Sequence, residues 1–226
     1  TFATLLALLP YVGLAATTTW SFEWNTSKKD GGQGFYNFGS SKVEKDVYTT
    51  ELNGVQWNIS SEGTYIYAYT STMGQYIGSA SEVPSSSTLW TTGFAGKIKD
   101  VKVTARVKDD KKAGNVAVAV NGKDYLCDGK AKASLTGTLA EYAFTIDDAD
   151  MQEGKLEIKL NQTSEEKGPL YIYKVVVDYE VATSGVPAPV FTPAAGTYDK
   201  AQQVAIATEG LDAGTYTIYY LSLIHI

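Results

Sequence analysis

The chain is short of the residues from which most catalytic and metal centres are built. It has one cysteine, Cys127, and one histidine, His225. A single cysteine excludes an intramolecular disulfide and any zinc site built on thiolates. With the histidine next to the last residue, neither a Cys–His pair nor a Ser-His-Asp set has a trustworthy base. Cys127 follows Tyr125-Leu126 beside a glycine-containing turn and reads as a small residue of a half-buried strand. Cations are also in deficit, 19 Lys and Arg against 25 Asp and Glu, for a net charge of −6. Neutralising a phosphate backbone needs the opposite balance, so nucleic acid is excluded as a partner. The one basic stretch, KIKDVKVTARVKDDKK, is interleaved with Asp and with inward-facing Val, the pattern of a solvated strand face.

Leucine and helix-favouring runs are scarce, whereas Gly, Ser, Thr, Tyr and Val are abundant and 4 Trp and 16 Tyr are spread along the chain. That composition predicts β-structure with many turns. The opening run TFATLLALLPYVGLAA has the length of a signal-peptide apolar region and is too short for a comfortable bilayer span of about 20 residues. It ends in small residues suited to cleavage after Ala15 or Ala16, which predicts export to the periplasm, cell surface or medium. Neither Met nor a basic region precedes Thr1, so the signal is expected to lack its start. No cysteine stands at the cleavage point to carry a lipid.

From Thr17 the sequence reads as strand after strand. TWSFEW places Trp20, Phe22 and Trp24 on one face, the expected core. VQWNIS and TYIYAYT are joined by Ser-Ser-Glu-Gly, a hairpin signal. In KIKDVKVTARV the apolar positions Ile98, Val101, Val103, Ala105 and Val107 change parity once, which predicts a bulge near Asp100. VAVAVNG, LAEYAFTI, KLEIKLNQ and LYIYKVVVDYEV follow, the last alternating Tyr171, Tyr173, Val175, Val177, Tyr179 and Val181. About ten such strands describe an all-β fold, an antiparallel two-sheet sandwich of jelly-roll type, over residues 17–182. A small, Pro-containing linker at 183–188 leads into a second unit at 189–220 with two further strands, Val204 to Ile206 and Tyr216 to Tyr220. Two strands cannot bury a stable core, so this unit is expected to be cut short, with further domains following.

The second unit carries a resemblance. PAPVFTPAAGTYDKAQQVAIATEG and the later TIYY resemble the opening of the chitobiase/beta-hexosaminidase C-terminal-type module, on Pro189, Phe191, Pro193, the Gly196-Thr197-Tyr198 turn, Val204 and Ile206. The likeness implies a fibronectin-III-like sandwich of a secreted bacterial protein. In that family the strand runs on into a Thr-x-Asp-Gly turn, where this chain has LSLIHI. Those six residues, 221–226, resemble the translation of a transposase-type sequencing adapter, which removes His225 from any mechanism. The first unit, on MGQYIGSASEVPSSSTLWTTGFAGKIKDVKVTARV and LYIYKVVVDYEV, looks like the secreted sandwich modules of Bacteroidetes-type proteins. That resemblance implies fold and location and brings no catalytic motif.

The chemistry left is that of a binding surface. A glycosidase needs two carboxylates about 5–10 Å apart in a cleft, whereas Glu23, Asp46, Glu51, Glu62 and Glu82 each stand in turn-like sequence. IDDADMQEG gathers Asp147, Asp148, Asp150 and Glu153, hard oxygen ligands that suit Ca²⁺, at a spacing unlike that of an EF-hand. Sugar binding needs exposed rings beside hydrogen-bonding neighbours. Tyr65, Tyr67 and Tyr69 share one strand face with Tyr76 close after, and Trp90 follows the Ser-rich loop. Outward, these rings form a platform for a glycan or cell-surface polymer; inward, they are core. The reading is therefore a non-catalytic module for adhesion or carbohydrate association, with a structural spacer or a jelly-roll glycoside hydrolase as alternatives.

Overall fold

The computed structural model describes residues 16–37, 46–63, 66–79, 83–163, 168–181, 190–194, 197–200, 203 and 205–207. The signal-like run up to residue 15, Tyr65, Glu82, the linker, Val204 and the tail with His225 lie outside them. In chain order the strands are β1 (Ala16–Glu23), β2 (Tyr48–Leu52), β3 (Val55–Glu62), β4 (Tyr67–Thr70), β5 (Gly74–Ile77) and β6 (Ser86–Thr91). Then come β7 (Lys97–Val107), β8 (Gly114–Val120), β9 (Lys123–Tyr125), β10 (Ala133–Leu135) and β11 (Ala140–Thr145). β12 (Gln152–Glu153), β13 (Leu156–Gln162), β14 (Leu170–Val181), β15 (Val190–Thr192) and β16 (Ala205–Ala207) complete them.

Two sheets of seven strands make an antiparallel, jelly-roll-like sandwich within the compact unit Thr17–Val181. The first has the order β11-β7-β14-β5-β4, with β1 also on β14 and β12 on β7. The second has the order β10-β8-β13-β6-β3-β2, with β9 on β8. The alternation read from the sequence sets what each strand buries. Val101, Val103, Ala105 and Val107 of β7 face Val116, Val118 and Val120 of β8 and Leu156, Ile158 and Leu160 of β13 in one hydrophobic cluster. Trp20 stacks on Trp57 at 5.5 Å between centroids, and Phe94 meets Trp20 edge-on at 5.6 Å. Asn53-Gly54 and Asn121-Gly122, all with positive φ, turn the β2–β3 and β8–β9 hairpins, as primed turns require.

Two bulges shape the first sheet. The β7–β14 register shifts where Asp100 opposes Asp178 and Ile98 opposes Tyr179, so Lys99 and Asp100 share the wet side, as the parity break in β7 predicted. A second shift lies between Ile172 and Lys174 in β14, and here the structure corrects the sequence reading. Leu170 and Ile172 point inward before the bulge, and Val175 and Val177 after it. Tyr171 and Tyr173 therefore do not continue the inward row of Val175 and Val177, and Tyr171 falls on the outer side with its neighbours Tyr76 and Arg106.

In the second unit β15 and β16 form an antiparallel pair with Phe191 opposite Ile206. Tyr198 donates its hydroxyl to the Ala194 carbonyl at 2.5 Å.

Candidate functional site

The tyrosines of β4 resolve inward. Tyr67 is fully buried and Tyr69 nearly so, because their register partners Ile77 and Gln75 face the core. The Tyr67 hydroxyl is 2.7 Å from Ser61 Oγ, which lies 2.5 Å from Ser87 Oγ. Tyr69 donates to the Gly32 carbonyl at 2.7 Å. Neither ring offers a face to a ligand, so a platform on β4 does not hold for these two residues. Tyr76, one register step away from them, stays half-buried on the outer side.

Trp90 has the opposite fate. Within β6, Leu89 and Thr91 are buried, so alternation sends Thr88 and Trp90 outward. Trp90 stands mid-sheet on the wet face of β6, directly opposite Asn58 of β3 and Glu157 of β13. Asn58 accepts from Thr49 Oγ1 at 2.8 Å through its side-chain oxygen. Lys155 Nζ lies 5.1 Å from the indole centroid and 2.6 Å from Glu157 Oε1. One step along β6, Thr88 stands between Ser60 and Lys159. Beyond β13 the small side chains of Ala117 and Ala119 continue the face. An indole with amide, carboxylate, ammonium and hydroxyl groups around it can stack on the C–H face of a sugar while its neighbours bond the hydroxyls.

The carboxylates weighed for hydrolysis do not converge. Glu51 sits opposite Gln56, six residues before Glu62 on β3, a separation of about 20 Å at 3.3 Å per residue. Glu23 pairs with Lys174 at 3.9 Å on the other sheet, and Asp46 precedes β2. The acids that do meet, Asp100 and Asp178, were not singled out in the sequence, since only strand register brings them together. Strand register sets them directly opposite each other on β7 and β14. Lys102 Nζ lies 3.9 Å from Asp100 and 4.0 Å from Asp178. Burial and then the charge and hydrogen bond of Asp178 raise the Asp100 pKa, against Lys102 and Lys99.

The acids weighed for Ca²⁺ do not gather in the fold. Asp148–Asp150 form a 3₁₀ turn preceded by Asp147, and all three acids are exposed. Asp150 pairs with Lys123 at 3.4 Å, while Glu153 is drawn off into β12 opposite Lys97. Among the described residues no three His, Cys, Asp or Glu side chains gather to hold a metal ion. Cys127 is buried, and burial followed by the charge of Asp128 raises its thiol pKa. No helix among the described residues is long and apolar enough to cross a membrane.

No protein-family model and no curated protein matches the chain. Among solved structures it is similar to β-sandwich modules. The xylan-binding module CBM15 is 13% identical with a TM-score of 0.40, over 62% of this chain and 99% of that one. CBM29_1, a family 29 carbohydrate-binding module from Piromyces equi, is 13% identical with a TM-score of 0.36, over 73% and 91%. The CBM36-1 domain of a multidomain xylanase from the hindgut metagenome of Trinervitermes trinervoides is 11% identical with a TM-score of 0.30, over 71% and 96%. Likeness at this level carries no ligand over to the present chain.

Proposed function

We propose that residues 17–181 are a non-catalytic carbohydrate-binding module whose glycan platform is the wet face of β3, β6 and β13, centred on Trp90. The observation that carries this reading is the position of the indole. Strand alternation places a large apolar ring outward in mid-sheet, where it adds nothing to the core cluster. Its register neighbours are Asn58 and Glu157, with Thr88, Lys159 and Lys155 close by. A neutral polysaccharide suits that surface, because cations and acids alternate and their fields largely cancel. The apolar run before Thr17 supports export of the module. The resemblance of residues 189–220 to the chitobiase C-terminal-type module supports a second, fibronectin-III-like unit after it in the chain.

Depletion from solution by insoluble xylan, cellulose and chitin tests the platform directly. The wild type is expected to bind at least one of them. Trp90→Ala should weaken that binding by about 2 kcal/mol, roughly thirtyfold, as loss of a central aromatic anchor does. Its circular dichroism should stay unchanged, since the ring lies outside the core. Failure to bind any of the three, or equal binding by the variant, overturns the assignment.

A further inference from the structure

The outer face of the opposite sheet carries a second set of aromatic rings, and it ends on the chain's only arginine, Arg106. Segment 35–37 lies along β4: Asn37 N–H donates to the Tyr67 carbonyl at 3.0 Å, and buried Gln75 bonds both the N–H and the C=O of Phe35. Phe35 and Asn37 point inward and Tyr36 outward, 39% exposed. Next to it on β4 stands the small Ala68, whose register partner on β5 is Tyr76. Tyr76 opposes Tyr171 of β14, and Tyr171 opposes Arg106 of β7. Tyr36, Tyr76, Tyr171 and Arg106 thus form one row across four strand spacings, about 19 Å.

Arg106 is held as a fixed fork. Its guanidinium lies over the Tyr171 ring at 4.5 Å, and Nη1 donates to the carbonyls of Lys108 at 3.2 Å and Gly137 at 3.4 Å. Those contacts fix the plane while Nε and Nη2 keep no hydrogen-bond partner among the described residues. Among the described residues no carboxylate pairs with this guanidinium. Of the nearby acids, Asp109 accepts from Lys111 N–H at 3.0 Å within its own turn, and Asp110 from Gly137 N–H at 2.9 Å in the loop before β11. At the other end of the row Lys28 Nζ sits 3.3 Å from the Tyr36 centroid and adds a second cation. A planar guanidinium, pre-oriented with one edge unsatisfied, matches a carboxylate in two parallel hydrogen bonds, which an ammonium cannot do.

We propose that this row is a second glycan site, distinct from the Trp90 face, that takes a uronate-bearing polysaccharide with a sugar carboxylate on Arg106 and sugar rings against Tyr36 and Tyr76. It rests on the glycan-binding reading for its ligand class but on separate residues for its geometry. The probes are polygalacturonate and its methyl ester, which differ only at the carboxylate, with affinity electrophoresis as the readout. Polygalacturonate should retard the wild type, and esterification should weaken that by roughly tenfold or more, as loss of charge-assisted bonds does. Arg106→Lys, which keeps the charge and loses the fork, should weaken it as much. Tyr36→Ala, at an exposed position, should weaken it without unfolding the chain. Depletion by the neutral polymers should persist in both variants, which separates this site from the Trp90 face. Absence of retardation by polygalacturonate, equal retardation by the ester, or wild-type behaviour of Arg106→Lys overturns the proposal.

Discussion

Single residues here are decided by which side of a strand they leave from, and two of them make sharp predictions. Asp100 holds its proton more tightly in the folded chain than an ordinary carboxyl does, because it is partly buried opposite Asp178. Such a group favours the fold most at acid pH, and that contribution is lost as pH rises through the raised folded pKa. The pair is faced by Lys102 and Lys99 from β7, by Glu180 from β14 and by the Thr19 hydroxyl from β1. Asp100→Asn removes the penalty, so its unfolding free energy should exceed the wild type's above that window and converge with it in acid. Urea denaturation across a pH series checks this, and a pH-independent difference would refute it. Tyr67→Phe deletes the hydroxyl that meets Ser61 in the core and should cost about 1 kcal/mol, read from the urea midpoint, because Ser61 keeps Ser87 as a partner. Its effect on xylan depletion should be nil, since the ring never reaches solvent.

At the scale of elements, the strands were legible where apolar and polar residues alternate without interruption. β7 and β14 run over the stretches that the pattern marked, and the β7 bulge showed itself because valine cannot sit on the wet side unnoticed. The β14 bulge left no such mark. Tyrosine is acceptable on either face, so the alternation reads through Tyr173 as if no residue had been added. Hence the alternation sets Tyr171 in one row with Val175 and Val177, whereas in the fold it leaves β14 on the outer side, between Tyr76 and Arg106. Segment 35–37 is invisible for another reason: GGQGFYNFG has no strand period, and its ties to the sheet are long-range, from Gln75 forty residues on and from the Tyr67 backbone. Trp90 could be found, because a tryptophan between Leu89 and Thr91 stands on the opposite parity from the core. Gly74 tests how tightly these pieces are set. At φ +67°, a Cβ there would lie 2.5 Å from the Ile172 carbonyl oxygen and 3.1 Å from Tyr173 Cα. Gly74→Ala should destabilise by about 1–3 kcal/mol, seen as a lower melting temperature. It should also weaken polygalacturonate binding more than xylan binding, because β5 carries Tyr76.

At the scale of the whole molecule, the first and last strands of the sandwich unit meet. Thr19 bonds Asp178 and Trp24 N–H donates to the Tyr173 carbonyl, so β1 runs antiparallel to the end of β14 and brings Thr17 beside the closing residues of the unit. A circular permutant that joins these ends by a short Gly-Ser linker and opens at the Asn121-Gly122 turn should fold and keep its binding, since that turn is exposed and contributes no core side chain. Loss of cooperative unfolding in the permutant would contradict this account of the ends. The same adjacency has a mechanical side. Tension applied through Thr17 and Val181 loads the β1–β14 hydrogen bonds one after another rather than all at once, so the module should open like a zip at low force. Under such tension the unit would lengthen from its ends inward, β1 peeling away before the core strands part.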